Sequence, residues 1–163
     1  SSLHLARHET DLEGELTNVQ LYVRMINLCN QGEVRLKIQV REPLRAMIVP
    51  NMLLQPLVEN AVQHGIMPKS GKSGTIRVAA YTQGDDLNII VQDDGLGLTG
   101  EAAAHPERLT EDGSSRYGLY HIHAKIALLY GEGYGVRVEN APQRGVRVRI
   151  RIPQKRSNTN SKY

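Results

Sequence analysis

Phenylalanine and tryptophan are both missing from the 163 residues, so seven tyrosines supply the large aromatic side chains. A core must therefore be assembled from Leu, Val, Ile, Met and Tyr. A single cysteine, Cys29, excludes an intrachain disulfide and a cysteine-rich zinc site, and it is expected to be a small core residue. No run of about 18 apolar residues occurs, so no segment reads as a membrane-crossing helix. No charged-then-apolar leader is visible. The balance of 20 Lys and Arg against 17 Asp and Glu leaves +3, too little to argue for a nucleic-acid partner. With 40% hydrophobic and 23% charged residues, the composition is that of an ordinary folded domain. The chain opens at Ser1 and passes at once into helix-like sequence, as expected of a piece of a longer protein, which leaves room for a membrane segment upstream.

Residues 10–30 read as an amphipathic helix opened by the capping-box pattern Thr10-Asp11-Leu12-Glu13. Leu12, Leu16, Val19, Val23 and Ile26 form a heptad-like stripe, suited either to another helix or to this domain's own core. Val34, Leu36, Ile38 and Val40 alternate with polar residues in strand period. Past Pro43 and Pro50, residues 51–65 read as a helix, kinked or started by Pro56 and capped near Gly65. Strands follow over Thr75–Tyr81 and Leu87–Val91, with a turn at Gln83-Gly84-Asp85. Residues 98–116 show no period, and a loop of that length inside a domain is usually functional or mobile. Residues 118–130 read as a helix with Leu119, Ile122, Ile126 and Leu129 on one side. Val136 and Val138 start a strand, and Val146, Val148, Ile150 and Ile152 then alternate with Arg147, Arg149 and Arg151, as in a strand with one solvated face. The polar end past Ile152 is expected to be disordered. Hairpins outnumber crossovers, which predicts an α/β (α+β) two-layer sandwich, one mixed sheet with helices on one face.

Three features carry chemistry. Glu59, Asn60, Gln63 and His64 pair at i,i+4 along a helix and are expected to face one way. Such a patch can hold a hydrated magnesium ion, which keeps most of its waters and needs few protein oxygens. Asp93-Asp94-Gly95-Leu96-Gly97 follows a buried strand. A carboxylate there can accept a purine amine, and the glycines let backbone approach a flat ring. Tyr117-Gly118-Leu119 opens a helix whose free N–H groups suit phosphate. Each has an ordinary explanation when taken alone: a polar helix face, an acidic turn, a helix entry.

In this order the three resemble a known family. Gln55-Pro56-Leu57-Val58-Glu59-Asn60-Ala61-Val62-Gln63-His64-Gly65 resembles the N box of sensor histidine kinases. Asp93-Asp94-Gly95-Leu96-Gly97 resembles their G1 box, and Gly118-Leu119-Tyr120-His121-Ile122 the end of their G2 box. Leu12-Glu13-Gly14-Glu15-Leu16 and Leu128-Leu129-Tyr130-Gly131-Glu132-Gly133-Tyr134-Gly135 are similar to the LytS-type branch. The resemblance covers residues 10–153. It implies the Bergerat ATP-binding fold of the GHKL superfamily, with ATP and Mg²⁺ as cofactors. It further implies Asn60 as magnesium ligand, Glu59 as general base, Asp93 as acceptor of the adenine amine, Gly95 and Gly97 as shapers of the adenine pocket, and residues 98–117 as an ATP lid. Gly118 and Leu119 would border the triphosphate, and His64 would line its phosphate side.

On the same resemblance, residues 1–30 are a helical remnant leading to absent dimerisation and phosphoacceptor helices, residues 31–153 the catalytic domain, and residues 154–163 a disordered tail. His8-Glu9 lacks the family's His-Phe-Leu-Phe-Asn setting, so the acceptor histidine is expected elsewhere and His8 is expected to be exposed. The implied partners are that dimerisation domain, a response regulator and a second copy in the full-length protein, with no nucleic acid. The implied location is the cytoplasmic side of a membrane-bound sensor. Two departures stand out. Gln63 replaces a family Lys or Arg, and the G2 entry reads Ser114-Ser115-Arg116-Tyr117-Gly118, in which Arg116 is the candidate to restore the missing phosphate-facing charge. These departures leave a rival reading, a degenerate or anti-sigma-like GHKL ATPase acting as an interaction module.

Overall fold

The computed structural model describes residues 8–111, 113 and 117–157. A short strand β1 (Glu9–Asp11) leads into helix α1 (Leu12–Cys29), strand β2 (Val34–Gln39), one helical turn α2 (Glu42–Arg45) and strand β3 (Ile48–Pro50). Helix α3 (Gln55–Asn60) continues directly into a π-helical turn (Ala61–Ile66). Strands β4 (Gly74–Gln83) and β5 (Asp86–Asp93) form a hairpin, followed by α4 (Gly100–Ala104) and a 3-10 turn (Pro106–Thr110). Helix α5 (Leu119–Tyr130) and the hairpin of β6 (Gly135–Asn140) and β7 (Val146–Pro153) complete the chain. The main sheet has the order β2-β4-β5-β7-β6, and β1 pairs with β3 in a separate ribbon. β2 runs parallel to β4 and the other pairs are antiparallel. The parallel pair needs a long crossover, which α2, β3 and α3 provide.

Strand alternation sets the two faces. Ile76 and Val78 of β4, Ile89 and Val91 of β5, and Val148 and Ile150 of β7 are buried under the helices. Arg77, Arg147, Arg149 and Arg151 turn to the other face, as the two-layer expectation requires. The α1 stripe is part of this core: Leu12, Leu16, Val19 and Val23 are buried in one cluster with the sheet residues. That decides between the two possible uses of the stripe and makes α1 integral to the domain.

Several expectations are corrected. Helix α1 starts at Leu12, and its N-cap is Asp11, not Thr10: the Asp11 Oδ1 accepts the Gly14 N–H at 2.8 Å. Cys29 is exposed: it lies one turn beyond the exposed Met25, on the outer side of α1. Leu129 is 43% exposed, since α5 buries Leu119 and Ile126 instead. Gly65 does not cap α3 but sits within the π turn. The segment after β5 holds two short helices, favoured by Ala102–Ala104 and restarted by Pro106. Past Pro153 the chain remains paired: the Ile48 N–H donates to Lys155 O at 2.6 Å, Arg156 bridges to Met47, and Lys155 Nζ meets Glu9 at 2.7 Å. Residues 158–163 lie outside the described residues.

One buried charge joins α1 to α3. Glu15, only 2% exposed, accepts the backbone N–H groups of Met52, Leu53 and Leu54, the unpaired donors ahead of α3. It also fixes the left-handed backbone of Met52 (φ 58°). Glu15→Ala strands these donors, and an unmade charge-assisted bond in a buried setting costs about 1.5–3 kcal/mol. Urea denaturation is expected to show a loss of about 3 kcal/mol, with faster proteolysis at residues 51–54. A loss below about 0.5 kcal/mol contradicts this role for Glu15.

Candidate functional site

The site forms where the π turn meets the end of β5. Pro56 stands in the first turn of α3, where its missing N–H costs nothing, and Leu57 and Val58 anchor the helix in the core. The turn is then widened, with the Met67 N–H reaching Val62 O at 2.9 Å, five residues back. A wider turn keeps Asn60 and His64 on the inner side and carries Gln63 outward.

Gly65 and Asp93 interlock. A Cβ on Gly65 would stand 2.7 Å from Asp93 Oδ1, and one on Gly95 would stand 2.3 Å from the Gly65 backbone. Only glycine at both positions allows the carboxyl group and the loop to close in. The Leu96 N–H donates to Gly65 O at 3.1 Å, and the Gly95 N–H to Asp93 Oδ1 at 2.8 Å. Of the adjacent acids, Asp94 faces away, accepting the Thr75 N–H at 2.8 Å. Gly97 adopts φ 83° and turns the chain, after which the Leu98 N–H bonds Asn140 Oδ1 at 2.8 Å.

The result is one narrow cleft, with a free volume of about 30 Å³, that Asn60 and Asp93 line together. Its walls are chiefly apolar, from Leu57, Ala61, Val91, Leu98, Leu109, Val138, Val146 and Val148, with His64, Gly65, Gly97, Tyr117 and Leu119 completing them. An apolar cleft with a few placed polar groups is the usual form of a small-molecule site. Asn60 Nδ2 donates to Tyr117 O, so the amide nitrogen is engaged and the oxygen is the atom suited to a hard cation. The rings of His64 and Tyr117 meet edge to face at 4.8 Å.

The other residues singled out from sequence fall as follows. Gly118, the N-cap of α5 with φ 66°, stands between the lining residues Tyr117 and Leu119. Gly95 shapes the cleft from behind Gly65 without lining it. Gln63 is exposed and outside the lining. Glu59 is also outside it, half-buried, with Gln55 Nε2 donating to its Oε1 at 3.3 Å. Burial and the Glu59 carboxylate raise the Tyr22 hydroxyl pKa, which places Glu59 on the α1 side. Arg116 lies outside the described residues. Sequence reasoning did not single out Gly65 or the apolar walls as lining residues, and it named Tyr117 only within the α5 entry and the lid segment. The position of Tyr117 just before Gly118 was the one available signal.

Burial pushes the Asp93 carboxyl up to about 6 from its ordinary value of 3.8. Asp94 adds to the rise, while the N–H groups of Gly95 and Val146 and the Lys69 ammonium oppose it. The folded state thus holds this proton more tightly than the unfolded chain. The corresponding stability is fully present below about pH 3.8 and is lost as pH rises through about 6. A shift of this size corresponds to about 3 kcal/mol. Ligand-free protein is expected to lose that stability relative to Asp93→Asn between about pH 4 and 7 in urea titrations. A pH-independent difference contradicts the assignment.

Residues 50–156 match the family described as Histidine kinase-, DNA gyrase B-, and HSP90-like ATPase. The sensor histidine kinase YesM of Bacillus subtilis (strain 168) is 27% identical over 94% of this chain, which spans 25% of that protein. The sensor protein kinase HptS of Staphylococcus aureus (strain USA300) is 29% identical over 96% of this chain, which spans 30% of that protein. Among solved structures, the catalytic domain of histidine kinase ThkA superposes with a TM-score of 0.64 at 18% identity, covering 91% of this chain and 97% of that one. ThkA is also solved in complex with the response regulator protein TrrA, with a TM-score of 0.65 over 90% of this chain and 41% of that one. The chain therefore spans less than a third of the length of these two curated relatives.

Proposed function

The chain belongs to the histidine kinase-, DNA gyrase B- and HSP90-like ATPase family, and from that premise we propose that it is the ATP-binding catalytic domain of a two-component sensor histidine kinase. The observation that carries this reading is the shared cleft: Asn60 and Asp93, 33 positions apart in sequence, line the same cavity. In this reading Asp93 accepts the exocyclic amine of adenine, and the valines and leucines of the walls sandwich the ring. Gly95 and Gly97 give the backbone its close approach. Asn60 offers its amide oxygen to Mg²⁺, which fits a cation that keeps most of its waters. Among the described residues no group of three or more acidic, His or Cys side chains stands ready to hold a metal, so phosphate oxygens and water would supply the remaining ligands. Bound there, magnesium would neutralise charge on the transferring phosphoryl group.

The chain's own residues then position and orient. In this reading His64, Tyr117 and Leu119 border the phosphate side together with Gly118, and residues 98–117, Arg116 among them, serve as the lid by resemblance to the family. The γ-phosphoryl group passes to an imidazole nitrogen of a histidine on the dimerisation domain, its bond to the ADP oxygen breaking. In this reading Glu59, half-buried and outside the cleft lining, meets that neighbour and takes the imidazole proton or orients the ring. The phosphoryl group then goes to a response regulator. The full-length protein would be a homodimeric, membrane-bound sensor with this domain on the cytoplasmic side.

Gln63 stands away from the lining, so an amide there leaves the cleft itself unchanged and weakens the case for a degenerate module. Thermal unfolding with and without Mg-ADP tests the reading. A ligand held only by the folded state at a hundred times its Kd adds about 2.7 kcal/mol of stability. An unchanged Tm at millimolar Mg-ADP contradicts it and favours the interaction module.

A further inference from the structure

The open face of the sheet carries an imbalance that the cleft does not use. Three arginines of β7 point to that face. Arg147 Nε donates to Gln92 Oε1 at 2.9 Å and its guanidinium reaches Glu139 at 3.3 Å. Arg151 Nε donates to Asp86 Oδ2 at 2.7 Å, and its guanidinium lies over the Tyr134 ring at 5.5 Å. Arg149, between them, has no hydrogen bond or ion pair among the described residues, and its Nε is buried without an acceptor. Its partner directly across on β6 is Arg137, a second cation with no carboxylate among the described residues. Like charges directly opposite in a sheet repel.

A third donor points the same way. Asn88 is 3% exposed, and its Nδ2 is buried without a partner. In the register Asn88 faces Arg151 and Ile90 faces Arg149, so Asn88 and Arg149 are diagonal neighbours, within reach for long side chains. Asn88, Arg137 and Arg149 line one surface cleft. Buried donors without acceptors are rare and call for a partner.

We propose that Arg137, Arg149 and Asn88 form an anion site for a phosphoryl group on the sheet face opposite the nucleotide cleft. Two guanidinium charges match a dianion, and three donor groups match three phosphoryl oxygens. A carboxylate, with one charge and two oxygens, leaves a donor unmet. The site is independent of the nucleotide reading, since none of its residues lines that cleft.

The test follows the Asn88 side-chain amide by NMR while inorganic phosphate replaces chloride at constant ionic strength. A saturable shift is expected, with the Asn60 amide as the reporter that separates this site from the cleft. Arg149→Gln and Arg137→Gln should each weaken it by at least ~10-fold, and acetate should bind at least ~10-fold more weakly. Phenyl phosphate, titrated in parallel, separates the sources. Binding within ~3-fold of inorganic phosphate points to an esterified phosphoryl group, and binding of inorganic phosphate alone points to the free ion. A shift that never saturates, an equal response to acetate, or wild-type affinity in both variants overturns the proposal.

Discussion

Asp93→Asn is expected to weaken adenine-nucleotide binding roughly 10- to 100-fold, the range expected when a hydrogen bond to a charged group is lost. The physical reason lies in how many donors this carboxyl group serves. The N–H groups of Gly95 and Val146 already draw on it from the protein side. An amide has one oxygen in place of two, so either the backbone loses an acceptor or the adenine amine meets an NH₂ group. Adenosine, which has no phosphates, should lose as much affinity as ATP. The fold should survive, because at neutral pH the variant also removes the buried charge whose pKa is raised to about 6. Calorimetric titration with adenosine and with Mg-ADP checks this, and wild-type affinity for adenosine contradicts it.

Asn60→Asp is expected to cost Mg-nucleotide at least roughly 10-fold in affinity while leaving adenosine binding unchanged. The Asn60 Nδ2 donor to Tyr117 O becomes an oxygen facing an oxygen. The end of the lid segment is then pushed away from α3, and the new negative charge faces the polyphosphate. The two variants thus differ by ligand. One acts through the base, which every adenine ligand carries, and the other only through the phosphates. Fluorescent-nucleotide binding with and without magnesium separates them. A parallel loss of adenosine affinity in Asn60→Asp indicates a collapsed cleft instead of a lost phosphate contact.

Much of the fold was legible because hydrophobic period dictates it. Val146, Val148, Ile150 and Ile152 alternating with three arginines fixed β7 and its two faces. Pro56 marked the start of α3, and Gly118 the entry to α5. What stayed hidden rests on distant contacts. The end of α3 looked like a glycine cap, yet Gly65 is required by Asp93 and Gly95, some 30 positions on. Glu15 stood in the Leu12–Leu16 stretch with no contact assigned to it, and only the fold brings the N–H groups of Met52–Leu54 to it. Cys29 was assigned to the core by residue type alone, whereas the helix phase leaves it exposed.

The candidate site shows the same division. Asn60 and Asp93 were found by motif, and the structure brings them to one cleft. Gln63 was grouped with Asn60 by α-helical spacing, which the π turn breaks. The apolar walls went unremarked because Val91, Val138 and Val148 read as ordinary core positions of their strands. Each is an inward residue that also borders the cavity, and a period of two cannot distinguish these uses.

The central claim is that one nucleotide reaches both Asp93 and Asn60. Titration of ¹⁵N-labelled protein with Mg-ATP, followed by trace Mn²⁺, tests it most directly, reading the Gly95 N–H, which bonds Asp93, and the Asn60 side-chain amide together. The account predicts that Mg-ATP shifts the Gly95 and Asn60 signals along one binding curve, and that Mn²⁺ added in trace amounts broadens the Asn60 signal ahead of that of the more distant Gly95. Two separate curves, or an Asn60 signal that trace Mn²⁺ leaves sharp, contradict it.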